Sequence, residues 1–437
     1  MCLLLTNNST SIGILSHLPP LPLVIDYSDI TRTLARKDED NIYLGLQRHG
    51  RVRRVALQAP SSSLRILLEL MNKPFPRLED LSLLSTTTEE TSVTGLVLPE
   101  ALKVPFLNRL SLHGIGLPKL SSMIALSTLS LTHIRDSCYF APGHLVSQLQ
   151  GLHCLEEMSI GFAIPIPLPS SEGELLPTPI PPVTLPALRR LTFRGMSVYL
   201  DNLVAQINTP LLKQLSLTLL FELAFTLVNL TEFTHRTIGL RCLFARVIFN
   251  EESASIEGGQ YEKWATGKGS LYVNVTCEPL DWRIDSAIQV CNALGNVLST
   301  VEGLTLDMDA IPLDLENPPD NTLWHELLLP FVGVKKLHIG SSLTLGLSQA
   351  LDSVAGGLVL ELLPELQELE IQPIEEFGAF SRFVETRKFI GRPVHTSHQQ
   401  GLSEERALSP IGPPVKFFSH TQGSPIVRAL SPIVSTC

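Results

Sequence analysis

Val104-Pro-Phe-Leu-Asn-Arg-Leu-Ser-Leu-His-Gly-Ile-Gly-Leu-Pro-Lys-Leu-Ser-Ser-Met-Ile-Ala-Leu-Ser-Thr-Leu-Ser-Leu131 contains one small pattern twice. Leu107-x-x-Leu110-x-Leu112 is followed by Leu126-x-x-Leu129-x-Leu131. Side chains alternate along a strand, so the fourth and sixth positions share one face and the residue between them faces the other way. A pattern that returns after a turn predicts similar strands laid side by side.

Working outward, the pattern recurs with first positions Val52, Leu78, Leu107, Leu126, Leu155, Leu188, Leu212, Val301, Val334 and Leu366. The steps are 26, 29, 19, 29, 33, 24, 89, 33 and 32 residues, mostly near or above the roughly 20–29 residues of leucine-rich repeats. Pro76, Pro105, Pro186, Pro210 and Pro364 each stand two residues before a first position, as expected if proline closes a loop at the entry to a strand. Helical spacing appears between strands, over residues 61–71, 143–152, 201–207, 286–298 and 345–363. Asp38 to Leu46 reads as a further short helix, and Leu18 to Asp26 as an extended, proline-rich segment ending in a short strand. The expected fold is α/β: an irregular leucine-rich-repeat solenoid, with a curved sheet of short parallel strands inside and helices and loops outside.

The expected organisation is a lead-in or cap over 1–45, repeats over 46–390 and a disordered tail over 391–437. Pro165 to Pro186, with eight prolines, reads as an exposed loop. The 89-residue step predicts an irregular insertion over about 231–300, either a hairpin or one or two degenerate repeats, with strands at 240–249 and 270–276. In the tail, Arg-Ala-Leu-Ser-Pro-Ile occurs at 406–411 and 428–433, and Ser409 and Ser431 are expected substrates for proline-directed kinases.

Composition narrows the function. Hydrophobic residues make up 44% and aromatics only 6%, the aliphatic balance that thin stacked layers need. A net charge of −10 argues against general nucleic-acid binding. Seven scattered cysteines without a C-x-x-C pair read as free thiols in a reducing compartment. Without an apolar run long enough to span a bilayer, or a signal-peptide core after Met1, the expected location is cytoplasmic, nuclear or both.

Catalytic patterns fail one by one. His325-Glu326 lacks the second histidine of a zinc-protease motif, since Leu329 stands four residues after His325. Gly346-Leu-Ser-Gln-Ala350 lacks the closing glycine of a nucleophile elbow, and Gly267-Lys-Gly-Ser270 lacks the upstream glycine of a phosphate loop. His395 and His398 fall in the expected tail. No catalytic, cofactor or metal residues are therefore expected. The remaining candidates are charged residues between the leucines, expected on the concave face as a surface for a protein ligand: Arg53, Arg54, Arg109, His113, Arg189, Arg190, Arg194, Lys213, Lys335 and Lys336.

Several segments together resemble fungal F-box proteins with leucine-rich repeats, of the kind expanded in mushroom-forming species. They are Pro19 to Tyr27, Arg51 to Val55, Phe75 to Leu81, Trp324 to Phe331 with Val334 to Leu337, and Glu361 to Leu369. The resemblance implies a substrate receptor, whose F-box docks on the Skp-type linker of a cullin–RING ubiquitin ligase while the repeats hold the target. In similar proteins the F-box precedes the Pro-Pro-Leu-Pro segment. Only eighteen residues precede Pro19 here, so the F-box is expected to be missing, which puts coupling to linker and cullin in question. The alternatives are a repeat scaffold with no link to ubiquitin, or an enzyme within the 240–300 insertion. The ninth position, Ile115, Ile134, Met196 or Leu220, is apolar, so no continuous asparagine ladder is expected.

Overall fold

The computed structural model describes residues 3–5, 21–29, 35–86, 95–165, 182–220, 224–261, 269–277, 280–308, 321–352, 362–371 and 378–397. All belong to one unit spanning Met1–His398. In chain order the strands are β1 (Leu3–Leu5), β2 (Leu23–Tyr27), β3 (Val52–Ala59), β4 (Asp80–Ser85), β5 (Arg109–His113), β6 (Thr128–Ile134), β7 (Glu157–Phe162), β8 (Val183–Thr184) and β9 (Arg190–Gly195). Then follow β10 (Ile207–Asn208), β11 (Gln214–Leu220), β12 (Phe244–Phe249), β13 (Ser253–Gly259), β14 (Leu271–Thr276), β15 (Gly303–Met308), β16 (Lys336–Ile339), β17 (Glu368–Ile371) and β18 (His395–Ser397). Sixteen of them form one sheet in the order β1-β2-β3-β4-β5-β6-β7-β9-β11-β14-β13-β12-β15-β16-β17-β18, while β8 and β10 pair separately. The protein is therefore α/β with a large, mostly parallel sheet.

The leucine pattern sets the register. All ten first positions are buried, and so are all ten residues at the fourth and all ten at the sixth position. Fourth positions lie opposite one another across neighbouring strands: Val55, Leu81, Leu110, Leu129, Met158, Leu191 and Leu215 in one run, Leu304, Leu337 and Leu369 in another. A one-residue slip would turn these rows to the other face, so burial of one face specifies the pairing.

Backbone hydrogen bonds repeat with the same period. The second-position carbonyl of one strand accepts two N–H groups from the next: Glu79 O from Asn108 and Arg109, Asn108 O from Ser127 and Thr128, Ser127 O from Glu156 and Glu157. Glu156, Arg189, Glu302 and Lys335 do the same further along. A β-turn precedes most of the strands: the N–H of Leu78 donates to Phe75 O, Leu107 to Val104 O, Leu188 to Leu185 O, Leu212 to Thr209 O and Leu366 to Leu363 O. This supplies the reason for the proline register. Each of the five prolines is the second residue of such a turn, where its fixed φ is already correct and its missing N–H costs nothing.

The long step holds three strands. β12 runs parallel to β15 and β14 parallel to β11, with β13 antiparallel to both between them. An odd number of strands restores the chain direction, so the parallel register resumes at β15. Cys242, Ala245 and Val247 take the first, fourth and sixth positions of β12, and all three are buried. This one strand is a degenerate repeat, and β13 and β14 complete a meander.

Helices α1 (Arg36–Gln47), α2 (Ser61–Leu70), α3 (Pro142–Leu149), α4 (Ser197–Ala205), α5 (Val228–Arg236), α6 (Leu280–Ala293), α7 (Gly295–Leu298), α8 (Asn321–Leu328), α9 (Thr344–Asp352) and α10 (Ser381–Phe389) lie between strands. Their apolar stripes, among them Leu64, Leu67, Leu145, Leu149, Leu200, Leu203, Leu230, Phe233, Leu327 and Leu347, join the strand rows in one continuous core. α4 and α6 begin earlier than the apolar spacing suggests, and α5 and α10 are helices not expected from the sequence. α9 ends at Asp352, and residues 353–361 of the longer helix expected there lie outside the described residues.

Two boundaries differ from expectation. β1 and β2 extend the sheet into the segment read as a lead-in. At the other end β18 pairs with β17, so His395 sits in a strand within the stretch read as tail. Ser409, Ser431 and most of the proline-rich loop, 166–181, lie outside the described residues.

Candidate interaction face

With rows four and six buried, rows three, five and seven lie together on the opposite face. Row five is small and hydroxylic across six adjacent strands: Ser82, Ser111, Ser130, Ser159, Thr192 and Ser216 stand opposite one another from β4 to β11. It then becomes Tyr272, Glu257, Arg246, Thr305, His338 and Glu370.

Apart from His113, the candidate residues separate into two groups. Arg53 pairs with Glu79 at 2.8 Å and Arg54 with Asp80 at 3.6 Å. Arg190 pairs with Glu157, and Lys335 with Glu302 at 3.0 Å. Lys336 reaches Glu368 at 3.8 Å and Glu370 at 3.6 Å, and His338 approaches Glu370 at 3.5 Å. Each is a cross-strand pair between neighbouring strands, and such pairs support a ladder by a few tenths of a kcal/mol, about 0.2–1. In contrast, Arg109, Arg189, Arg194 and Lys213 are exposed and have no carboxylate within ion-pair distance among the described residues.

His113 belongs to a built cluster. Its ring stacks on His133 with centroids 4.7 Å apart and planes 10° from parallel, and its Nδ1 shares a 3.1 Å hydrogen bond with Thr132 Oγ1. Arg135 Nη2 donates to His133 Nε2 at 2.9 Å, which leaves the proton of a neutral His133 on Nδ1. Partial burial, the neighbouring His133 and Arg135 push the His113 pKa down to about 4. Burial, Arg135 and Arg194 depress that of His133.

A β-bulge builds this cluster. Leu131 lies opposite Ile160 and Ile134 opposite Phe162, so Thr132 and His133 together oppose the single residue Gly161. His133, the second of the two, takes φ +54°, a left-handed conformation uncommon for a residue other than glycine. On the far side of Gly161 stands Arg194. Gly161 is buried, and a Cβ on it would meet Thr132 Cγ2 at 3.7 Å and Arg194 Cβ at 3.8 Å, both ordinary van der Waals contacts. His133, Arg135 and Gly161 carry no signal in the leucine pattern, because the bulge that collects them shifts the register after Leu131.

Ser348, His325 and Ser270 sit within secondary structure or its backbone hydrogen bonds. Ser348 lies in α9, buried, and its hydroxyl donates to Leu345 O at 2.8 Å. His325 is a residue of α8, next to the buried Trp324. Ser270 Oγ donates to Arg241 O and Gly258 O at 3.4 Å each. Among the described residues no three His, Cys, Asp or Glu side chains converge as metal ligands. A shallow cleft of about 570 Å³ between α2 and residues 95–100 is lined by Arg65, Leu68, Glu69, Leu96, Val97 and Glu100, among others. Cys138, Cys154, Cys242, Cys277 and Cys291 are free thiols, and burial raises the pKa of Cys138, Cys242, Cys277 and Cys291. No described helix is long and apolar enough to cross a membrane.

No protein-family model matches this sequence, and no curated protein matches it.

Proposed function

We propose that this chain is a leucine-rich-repeat solenoid that binds another protein along the polar face of its sheet and performs no chemistry itself. One observation carries the reading. Thirty residues at repeat positions one, four and six are all buried, leaving rows three, five and seven as a polar surface spread over consecutive strands. Such a face suits recognition spread along strands better than a reaction concentrated at one point. By its resemblance to F-box repeat proteins, the bound protein is a target for ubiquitination, and the chain corresponds to the receptor's repeat part.

The test is affinity purification of the tagged chain from its own cells with the proteasome blocked, read by mass spectrometry. Recovery of specific proteins together with a Skp-type linker and cullin supports the receptor reading. Specific proteins without ligase components support a binding scaffold alone. Recovery of no protein above a tag-only control contradicts both.

A further inference from the structure

The polar face carries an uncompensated positive site. β5, β6, β7, β9 and β11 and the residues beside them hold Arg109, Arg135, Arg189, Arg190, Arg194 and Lys213 against Asp136, Glu156 and Glu157, in a chain whose net charge is −10. Glu157 already pairs with Arg190. Around the bulge the imbalance is complete: neither Arg135 nor Arg194 has a carboxylate within ion-pair distance among the described residues. Every charged or titratable group that acts on His113 and His133 is a histidine or an arginine. Arg135 is held in place by its hydrogen bond to His133, and His133 by its stack on His113.

The hydroxyl row adds a direction. Its six small side chains are flanked on β5, β7 and β9 by longer ones, Arg109, Glu157 and Arg190 in row three and His113 and Arg194 in row seven. Five strand spacings make a track of about 24 Å, the length of about seven extended residues. Serine and threonine hydroxyls both donate and accept, so they suit a peptide backbone laid across them.

We propose that Arg135 and Arg194, beside the His113–His133 stack, take the carboxylate of an acidic side chain from an extended acidic segment of a protein partner lying along the Ser82–Ser216 row. This rests on the protein-binding reading above and names the chemistry of the partner. The carboxylate is the missing counter-charge, and two guanidinium groups supply charge-assisted hydrogen bonds to it.

The test uses the full chain and a fluorescein-labelled decapeptide of alternating Glu and Ser, followed by anisotropy at low salt. Saturable binding is expected. Arg194→Gln and Arg135→Gln each weaken it about tenfold, as loss of one charge-assisted contact implies. Lys119→Gln, whose partner is Glu100, leaves it unchanged. A Lys-Ser decapeptide gives no binding. Equal loss in all three variants, or affinity untouched by Arg194→Gln, overturns the proposal. So does an oligothymidylate that binds more tightly than the acidic peptide with the same variant sensitivity. If cellular partners are captured equally by wild type and Arg135→Gln/Arg194→Gln, the arginine assignment fails while protein binding stands.

Discussion

Asp201 is a buried carboxylate that serves a helix other than its own, and replacing it tests how the helical layer is held. It lies in α4 and is 3% exposed. Its Oδ1 accepts from the Asn229 and Leu230 N–H groups at 2.8 and 3.0 Å, and its Oδ2 from Asn229 Nδ2 at 2.8 Å. Asn229 and Leu230 are the second and third residues of α5, whose capping residue Leu227 offers no side-chain acceptor. Asp201→Ala therefore orphans two helix N–H groups and removes a negative charge from the positive end of the α5 dipole. A lost cap costs about 1–2 kcal/mol, and burial of the freed donors adds about 1–2 more, giving about 3 kcal/mol in all. Asp201→Asn keeps an acceptor and loses the charge, at about 1 kcal/mol. Exposed Asn202→Ala stays within about 0.5 kcal/mol. Urea unfolding gives the totals, and hydrogen exchange locates them, since the Asn229 and Leu230 amides lose protection selectively in Asp201→Ala. A cost below about 1 kcal/mol with both amides still protected would refute the cap.

Two further outcomes follow from the turns and the histidine cluster. Ile124 is the second residue of the Met123–Leu126 turn, the position proline holds in five sister turns, and is 65% exposed, so Ile124→Pro raises stability by about 0.4–1 kcal/mol in urea unfolding; a destabilised variant would show that this turn differs from its sisters. The depressed pKa of His113, at about 4, makes the fold acid-sensitive. Above pH 6.5 the ring is neutral folded or unfolded; as pH falls towards 4 only the unfolded chain takes up the proton, so stability drops through that window. Solvent screening of a half-exposed ring reduces this to about 1 kcal/mol. His113→Gln flattens the stability slope between pH 6.5 and 5, above the carboxylate range, and an unchanged slope would exclude the ring as its source.

The strands were legible because their signal is local and strong: three leucine-like positions at fixed offsets, each satisfied by burial alone. Prolines were legible as punctuation, although the turn they occupy needed the Leu363–Leu366 and Val104–Leu107 hydrogen bonds to define it. α5 was not legible, since Val228-Asn-Leu-Thr-Glu-Phe-Thr-His-Arg236 has two threonines and takes its cap from Asp201, a residue 28 positions away. β12 was only partly legible because Cys242 and Ala245 occupy positions where leucine stands elsewhere. For the candidate site, the charges of row two and row three were visible, and their pairing across strands was not. His133 and Gly161 escaped altogether, because a bulge is set by the neighbour's register.

Charge along the polar face is not evenly spread, and this bears on where a partner sits. At one end, Arg53 and Arg54 of β3 are matched by Glu79 and Asp80. At the other, Lys335 and Lys336 face Glu302, Glu368 and Glu370, and Arg246 meets Asp307 at 2.7 Å. The proposed partner, docking on those strands, would have to displace existing pairs, each worth about 0.2–1 kcal/mol. Between them, β5 to β11 carry cations beyond their local acids. An acidic partner there would meet arginines that have no ion pair among the described residues. If the proposed protein binding holds, alanine scanning of the whole face should find its largest losses at Arg135 and Arg194 and near-neutral effects in β3, β16 and β17.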